Sequence, residues 1–480
     1  MTVARKIAKN TLFIFTSGLI SKAISVAFIV YAVRILGPSD FGIYTLITTV
    51  VFFFSFFIDL GITPMAIREL ARDREKIEHL FNHILTLRLS LALLLYPALI
   101  LAVNLLGYDD RIKALIYLMA VAFILTAFSG SFKILYFSME KMQVPSVIEV
   151  LVSFISSSAG ILILYLGYGL TGLVLVVLTG NALGALISGI WVRRFVMKYS
   201  FSFNRVIWTD LLRQALPFGM IAFLNGINRH ISIILLSKLS GPFPRDIAIG
   251  YYSPAQKMAS SLIPLVRSLR VASLPTISGN IDKKKVVQKI LEKTTQFSLI
   301  CVSIPLLIAA LFFSHDLMTF AFGSAFSESS PAFRILGVAF AIQAFNTPAI
   351  STLSATKDIY KFVPWATLSI LITIVFCIVL IPVMSFKGVA IAVLIGNLFR
   401  AMSVQLLLRK IMGIRIFIPA RYMKGFVILL FISLLSFVIN SFDVHFLYRI
   451  FTVLLVYILC VLILYRTQIG EFRSLLKAGI

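Results

Sequence analysis

Five basic side chains lie where an apolar helix gives them no evident support: Lys22, Arg229, Lys257, Arg267 and Arg400 each fall within a long hydrophobic run. A charge held at mid-bilayer costs at least about 2.5–3.5 kcal/mol on insertion scales, so such residues face a bundle interior or a wet cavity and mark a transport path. The chemistry open to them is anion binding, by charge-assisted hydrogen bonds to oxygens, with Arg acting bidentately and Lys as a point charge. The segment from Gly250 to Pro275, GYYSPAQKMASSLIPLVRSLRVASLP, carries Lys257, Arg267 and Arg270. Read as one continuous helix at about 100° per residue, it puts Ser253, Ser260, Ser261, Pro264 and Ser268 within roughly 60° of Lys257 and Arg267 within about 80°. Arg270 falls well away from that face and reads as a cation snorkelling near one end.

Against these cations only Asp59 and Glu149 stand as clear intramembrane acids. They are candidates for ion coupling or for structural pairing with Arg88 and Lys133; Arg34 and Arg334, near span ends, read as snorkelling or paired. Nothing resembles a catalytic constellation. The five His have no ligand spacing, and Cys301, Cys377 and Cys460 sit inside apolar runs with no CxxC. Neither a metal site, a cofactor nor a disulfide framework is expected, and the chain does not read as an enzyme.

The elements that must hold these residues follow from composition. Of 480 residues, 60% are hydrophobic and 13% charged, with mean hydropathy +1.00, which marks an all-α polytopic membrane protein. About fourteen apolar runs, from Thr11–Arg34 to Phe446–Tyr465, are long enough to cross about 30 Å of hydrocarbon. The first is too long for a signal peptide and holds Lys22. A net charge of +25 would suggest nucleic acid in a soluble protein, but here the cations lie mostly in short loops. Roughly 28 fall on the N-terminus, the even-numbered loops and the tail, including Arg68–Arg72–Arg74–Lys76 and Lys283–Lys284–Lys285–Lys289–Lys293, and about six on the odd-numbered loops. That asymmetry predicts a multi-pass protein of the cytoplasmic membrane with both termini inside.

An internal repeat orders the spans. TGLVLVVLTGNALGALISGIWVRR, from Thr171, aligns without gaps with KGVAIAVLIGNLFRAMSVQLLLRK, from Lys387: Gly172 with Gly388 and Gly180–Asn181 with Gly396–Asn397, an offset of 388 − 172 = 216. Ser138 and Lys141 pair with Ser354 and Lys357 at the same offset. The expected organisation is two parallel six-helix lobes, residues 1–200 and 201–412, followed by two further helices and a tail over 413–480.

LGPSDFGIYTL (Leu36–Leu46), LYFSMEKMQ (Leu135–Gln143), GYYSPAQKMASSLIPL (Gly250–Leu265) and KGVAIAVLIGNLFRAMSVQLLLRK together resemble the Wzx-type polysaccharide-repeat flippases. These belong to the MOP superfamily, with MurJ-like precursor flippases and MATE drug exporters. The resemblance covers about the first 410 residues. It implies two lobes around a cavity lined by the first, second, seventh and eighth helices, alternating access, and a polyprenyl-linked, phosphate- or pyrophosphate-bearing saccharide as substrate. It also implies membrane lipids, and a polymerase or glycosyltransferases, as partners. By helix position it supports Lys22, Arg229, Lys257 and Arg267 as cavity residues. Ser21, Ser25, Asn225, Asn228, Gln256 and Ser260 are then candidates either for sugar hydroxyls or for helix packing. A MATE-like exporter of cations, which calls for an acidic lobe, and a membrane-embedded glycosyltransferase, which calls for a carboxylate or His base on a sizeable outer loop, are the alternatives.

Overall fold

The computed structural model describes residues 3–72, 77–239, 241–414, 419–440 and 445–465, and among them there are helices and turns but no strands. Eleven of the described helices or helix runs are long and apolar enough to cross a membrane. The chain divides into two compact units, 1–238 with 245–250 and 239–244 with 251–480.

The first unit begins with α1 (Val3–Asp59), whose 57 residues are broken at Gly37. There φ is 68° and ψ −179°, a region open essentially to glycine alone, and Pro38 follows. Then come α2 (Ile62–Arg72), α3 (Ile77–Leu105), α4 (Asp110–Ala120), α5 (Ala122–Ser138), α6 (Gln143–Tyr165), α7 (Gly169–Phe195), α8 (Arg205–Lys238) and the first turns of α9 (Arg245–Ala259). Close backbone approach fastens α9 to α1. A Cβ on Gly42 would strike the Asp246 carbonyl oxygen, and one on Gly250 the Pro38 carbonyl oxygen, so both positions require glycine. Around this crossing Ser39 donates to Asp246, Arg111 pairs with Asp40 at 3.2 Å and Arg245 with Asp109 at 3.7 Å. Tyr108, buried beside them, shares a 2.9 Å hydrogen bond with Ser237.

The second unit continues with α10 (Ile263–Gly279), α11 (Lys284–Ser298), α12 (Ile304–Phe312), α13 (Ser314–Phe322), α14 (Ser330–Ser354), α15 (Val363–Met384), α16 (Phe386–Met412), α17 (Pro419–Asn440) and α18 (Phe446–Leu464). Between α11 and α12 a π turn at Leu299–Ser303 precedes Pro305, which has no N–H to give the helix ladder. Tyr457 of α18 donates to the Ile300 carbonyl in that turn. Arg449 pairs with Asp316 at 3.3 Å, and Asn440 donates to the Phe312 carbonyl at 3.0 Å. The last two helices are thereby fixed to α12 and α13 by polar bonds as well as by an apolar cluster that includes Ile304, Ile428 and Val453.

α7 and α16 bury the same face. Adding 216 to nine of the ten buried positions of α7, 170, 172, 173, 174, 176, 180, 185, 188 and 192, gives 386, 388, 389, 390, 392, 396, 401, 404 and 408, each buried in α16, while Gly189 corresponds to the half-buried Gln405. In both helices the central glycine receives a hydroxyl side chain from the preceding span, Ser156 at Gly180 and Thr373 at Gly396.

The structure corrects the reading of Gly250–Pro275 as one continuous helix. α9 ends at Ala259 and α10 begins at Ile263. Pro264 can neither donate to the residue 260 carbonyl nor pack against it, and the Ser260 hydroxyl bonds the Lys257 carbonyl instead. The break leaves segments of 15 and 17 residues, each short of the roughly 20 needed to cross alone.

Candidate functional site

The break changes which cations share a neighbourhood. Angles measured from Lys257 do not carry past Ser260, so Arg267 and Arg270 are placed by α10 alone. Arg267 is exposed and Arg270 half-buried. Arg270 Nη2 donates to Ser354 Oγ at 3.3 Å, and its backbone carbonyl accepts from Ser351 Oγ at 3.4 Å, joining α10 to the last turn of α14. Arg400 lies mid-way along α16, 400 − 386 = 14 residues from one end and 412 − 400 = 12 from the other. Its Nε is buried with no hydrogen-bond partner. Among the described residues no carboxylate pairs with either guanidinium. The second unit therefore holds two guanidiniums, on α10 and α16, with no carboxylate partner among the described residues, and Ser354 accepts a hydrogen bond from one of them.

Sequence reasoning named Arg400 and set Arg270 aside, as a cation away from the Lys257 face and near one end of the segment. The signal that was available is the serine–proline cluster at 260–264, which interrupts an otherwise apolar helix.

The other named cations stand as follows. Lys22 on α1 is exposed and Lys257 on α9 half-buried; like Arg267, both take part in electrostatic or hydrogen-bond interactions. Arg229 is on α8, but its side chain, with those of Asn225 and Asn228, lies outside the described residues. The small polar residues mostly serve the helices. Ser25 donates to the Ser21 carbonyl at 2.8 Å and lies 3.5 Å from Ser153 of α6, while Gln256 donates to Tyr252 at 3.3 Å.

The acids Asp59 and Glu149 are both in ion pairs of the first unit. Arg88 on α3 is 7% exposed; its Nη1 lies 3.2 Å from Asp59 Oδ1 and donates to Thr63 Oγ1 at 3.0 Å. Thr63 in turn donates its backbone N–H to Asp59 at 3.2 Å and its hydroxyl to the same oxygen. The group closes over the α1–α2 turn, where Leu60 takes φ 41°. Lys133 and Glu149 pair at 3.2 Å, each more than half exposed. Cys301, Cys377 and Cys460 are free thiols, and among the described residues no three His, Cys, Asp or Glu are placed to hold a metal.

A family model described as polysaccharide biosynthesis protein matches residues 7–281. No curated protein sequence matches. Of solved structures, the lipid II flippase MurJ in an inward closed conformation is similar over 95% of this chain and 100% of that one, with TM-score 0.76 and 17% identity. An inward-facing MATE family multidrug resistance transporter of the MOP superfamily covers 82% of this chain and 94% of its own, with TM-score 0.64 and 16% identity. A MOP superfamily transporter from Pyrococcus furiosus, whose binding pocket is described as having reverse polarity suggesting a different function, covers 84% and 96%, with TM-score 0.57 and 16% identity. At these identities the likeness is one of fold.

Proposed function

The chain belongs to the polysaccharide biosynthesis protein family, and from that premise we propose that it is a flippase carrying a polyprenyl-(pyro)phosphate-linked oligosaccharide from the cytoplasmic to the outer leaflet. Its fold is that of flippases and transporters, and alternating access is the mode of action proposed with it.

The observation that carries this reading is that the second unit holds two guanidiniums on apolar helices, Arg270 and Arg400, with no carboxylate partner among the described residues. Moving a lipid headgroup through a bilayer means shielding a phosphate or pyrophosphate from hydrocarbon, and cations without carboxylate partners supply the counter-charge for it. A cation exporter would need the opposite sign, and Asp59, the acid best placed to supply it, is already engaged by Arg88. Lys22, Arg229, Lys257 and Arg267 are proposed as further stations for the same anion.

The architecture proposed with this function has two parallel six-span halves, 1–200 and 201–412, and two appended spans. The burial pattern shared by α7 and α16 supports the repeat. Fourteen crossings result if α1 counts twice, α8 crosses and α9 with α10 crosses once. Both termini are placed in the cytoplasm by the cation asymmetry of the loops.

The test is translocation of a fluorescent polyprenyl-pyrophosphate-linked oligosaccharide in proteoliposomes. Lys22→Glu and Lys257→Glu, each still present in the membrane, should abolish it. Wild-type translocation by both, or efflux of an organic cation with no movement of the glycolipid, would remove the anion-carrier reading.

A further inference from the structure

Between α7 and α8 the chain runs without regular structure over residues 197–204, and it is sewn to the first turns of α3. Asn82 Oδ1 accepts the Ser200 N–H and Asn82 Nδ2 donates to Ser200 Oγ, both at 3.1 Å. Thr86 Oγ1 accepts the Ser202 N–H at 2.9 Å, and His83 Nδ1 lies 3.1 Å from the Ser202 carbonyl oxygen. An extended chain advances about 6.6 Å in two residues, and a helix about 6 Å in four. Alternate linker residues therefore keep step with successive turns of α3.

The residues in between are left facing out. Phe201 and Phe203 are 67% and 74% exposed, with Val206 next to them in sequence also open. Trp191 and Phe195, on the last turns of α7, are exposed too, with ring centroids 4.8 Å apart. Interleaved with these are Arg193, Arg194, Lys198 and Arg205, all exposed, with the Arg194 guanidinium 5.7 Å from the Phe195 ring centroid. The stretch from Trp191 to Val206 contains no acidic residue. Neither helix packing nor ion pairing accounts for a row of open aromatics threaded with four unopposed positions of one sign.

We propose that this linker is a built binding strap for anionic phospholipid, with its cations on the headgroup phosphates and its aromatic rings at the headgroup–acyl boundary. Aromatic rings are amphipathic residues of that boundary, and clustered Lys and Arg beside a membrane helix select anionic lipid. Because the strap leads directly into α8, lipid bound there holds the start of that helix at a fixed depth.

The experiment uses the full chain with Trp208→Phe and Trp365→Phe, which leaves Trp191 as the one indole of the three. Trp208 Nε1 has no hydrogen-bond partner, and phenylalanine keeps an aromatic ring against Phe203, whose centroid lies 4.6 Å from that of Trp208. The protein is reconstituted in vesicles of equal phosphatidylcholine and phosphatidylglycerol, with one lipid brominated at a time. Brominated phosphatidylglycerol should quench Trp191 several-fold more than brominated phosphatidylcholine. Each cation near an anionic surface contributes a factor of roughly five to that enrichment, so Arg194→Gln with Lys198→Gln lowers the ratio and Arg194→Lys preserves it. Equal quenching by the two lipids with the strap intact overturns the proposal. So does quenching by neither, which would mean that the row is covered by protein.

Discussion

Arg88 in the first unit and Arg400 in the second are both arginines inside long apolar helices, and only one of them is compensated. Arg88 is 7% exposed, with Asp59 and Thr63 on its guanidinium, whereas Arg400 has a buried, unpartnered Nε and no carboxylate partner among the described residues. Depth alone therefore does not mark a functional charge. A cation with its own carboxylate is held in place by the fold, while one without keeps its charge for an anion. The contrast separates the two roles by what each loses on mutation, stability in the first unit and transport in the second.

The largest effect should come from breaking the compensated group. Asp59→Ala leaves Arg88 as an uncompensated buried charge, which costs about 3 kcal/mol or more. A thermal melt of the purified protein should show a clear loss of stability, together with reduced yield in the membrane. A stable, normally expressed Asp59→Ala protein would erase the distinction between the two arginines. Next is Arg270→Gln with Arg400→Gln. Stranding no carboxylate should leave the melt unchanged or slightly higher, while translocation falls at least about tenfold, since hydrogen bonds to charged groups are worth roughly 1.5–3 kcal/mol.

These two results would also calibrate how far residue types alone lead. The apolar runs, the Gly37–Pro38 interruption of α1 and the offset of 216 are legible because composition, a φ accessible only to glycine, and burial each leave a local mark. The scarcity of acids made Asp59 and Glu149 conspicuous, and each sits beside a cation. The bond from Arg270 to Ser354 was not legible, because it joins α10 to α14 across the fold. Nor was the bond from Tyr457 to Ile300, which exists only because a π turn exposes one carbonyl; no periodicity in the sequence announces it. Long-range polar contacts of this kind are set by tertiary register, which residue spacing within one helix does not encode.

A third change converts one role into the other. Ser354 already accepts from Arg270 at 3.3 Å, so Ser354→Asp supplies the carboxylate that Arg270 lacks among the described residues. The new pair is half-buried and should add about 0.5–1 kcal/mol of stability while competing with the proposed anion. Translocation is expected to fall a few-fold, less than in the double glutamine variant because Arg400 remains. A rise in stability with no change in transport would show that Arg270 is a structural residue and would leave Arg400 alone as the candidate.

The smallest effect tests whether compensation matters only where water is excluded. Lys133 and Glu149 form a 3.2 Å pair in the first unit, like Asp59 and Arg88, but both side chains are more than half exposed. Towards the span ends a lysine can extend its amine into the headgroup region, so neither charge is stranded when its partner is removed. Lys133→Gln should therefore shift stability by less than about 0.5 kcal/mol and leave translocation at the wild-type rate. A loss approaching that of Asp59→Ala would mean that the surface of this pair lies against hydrocarbon at depth. The rule drawn from Arg88 would then extend to every ion pair of the unit, whatever its exposure in the isolated protein.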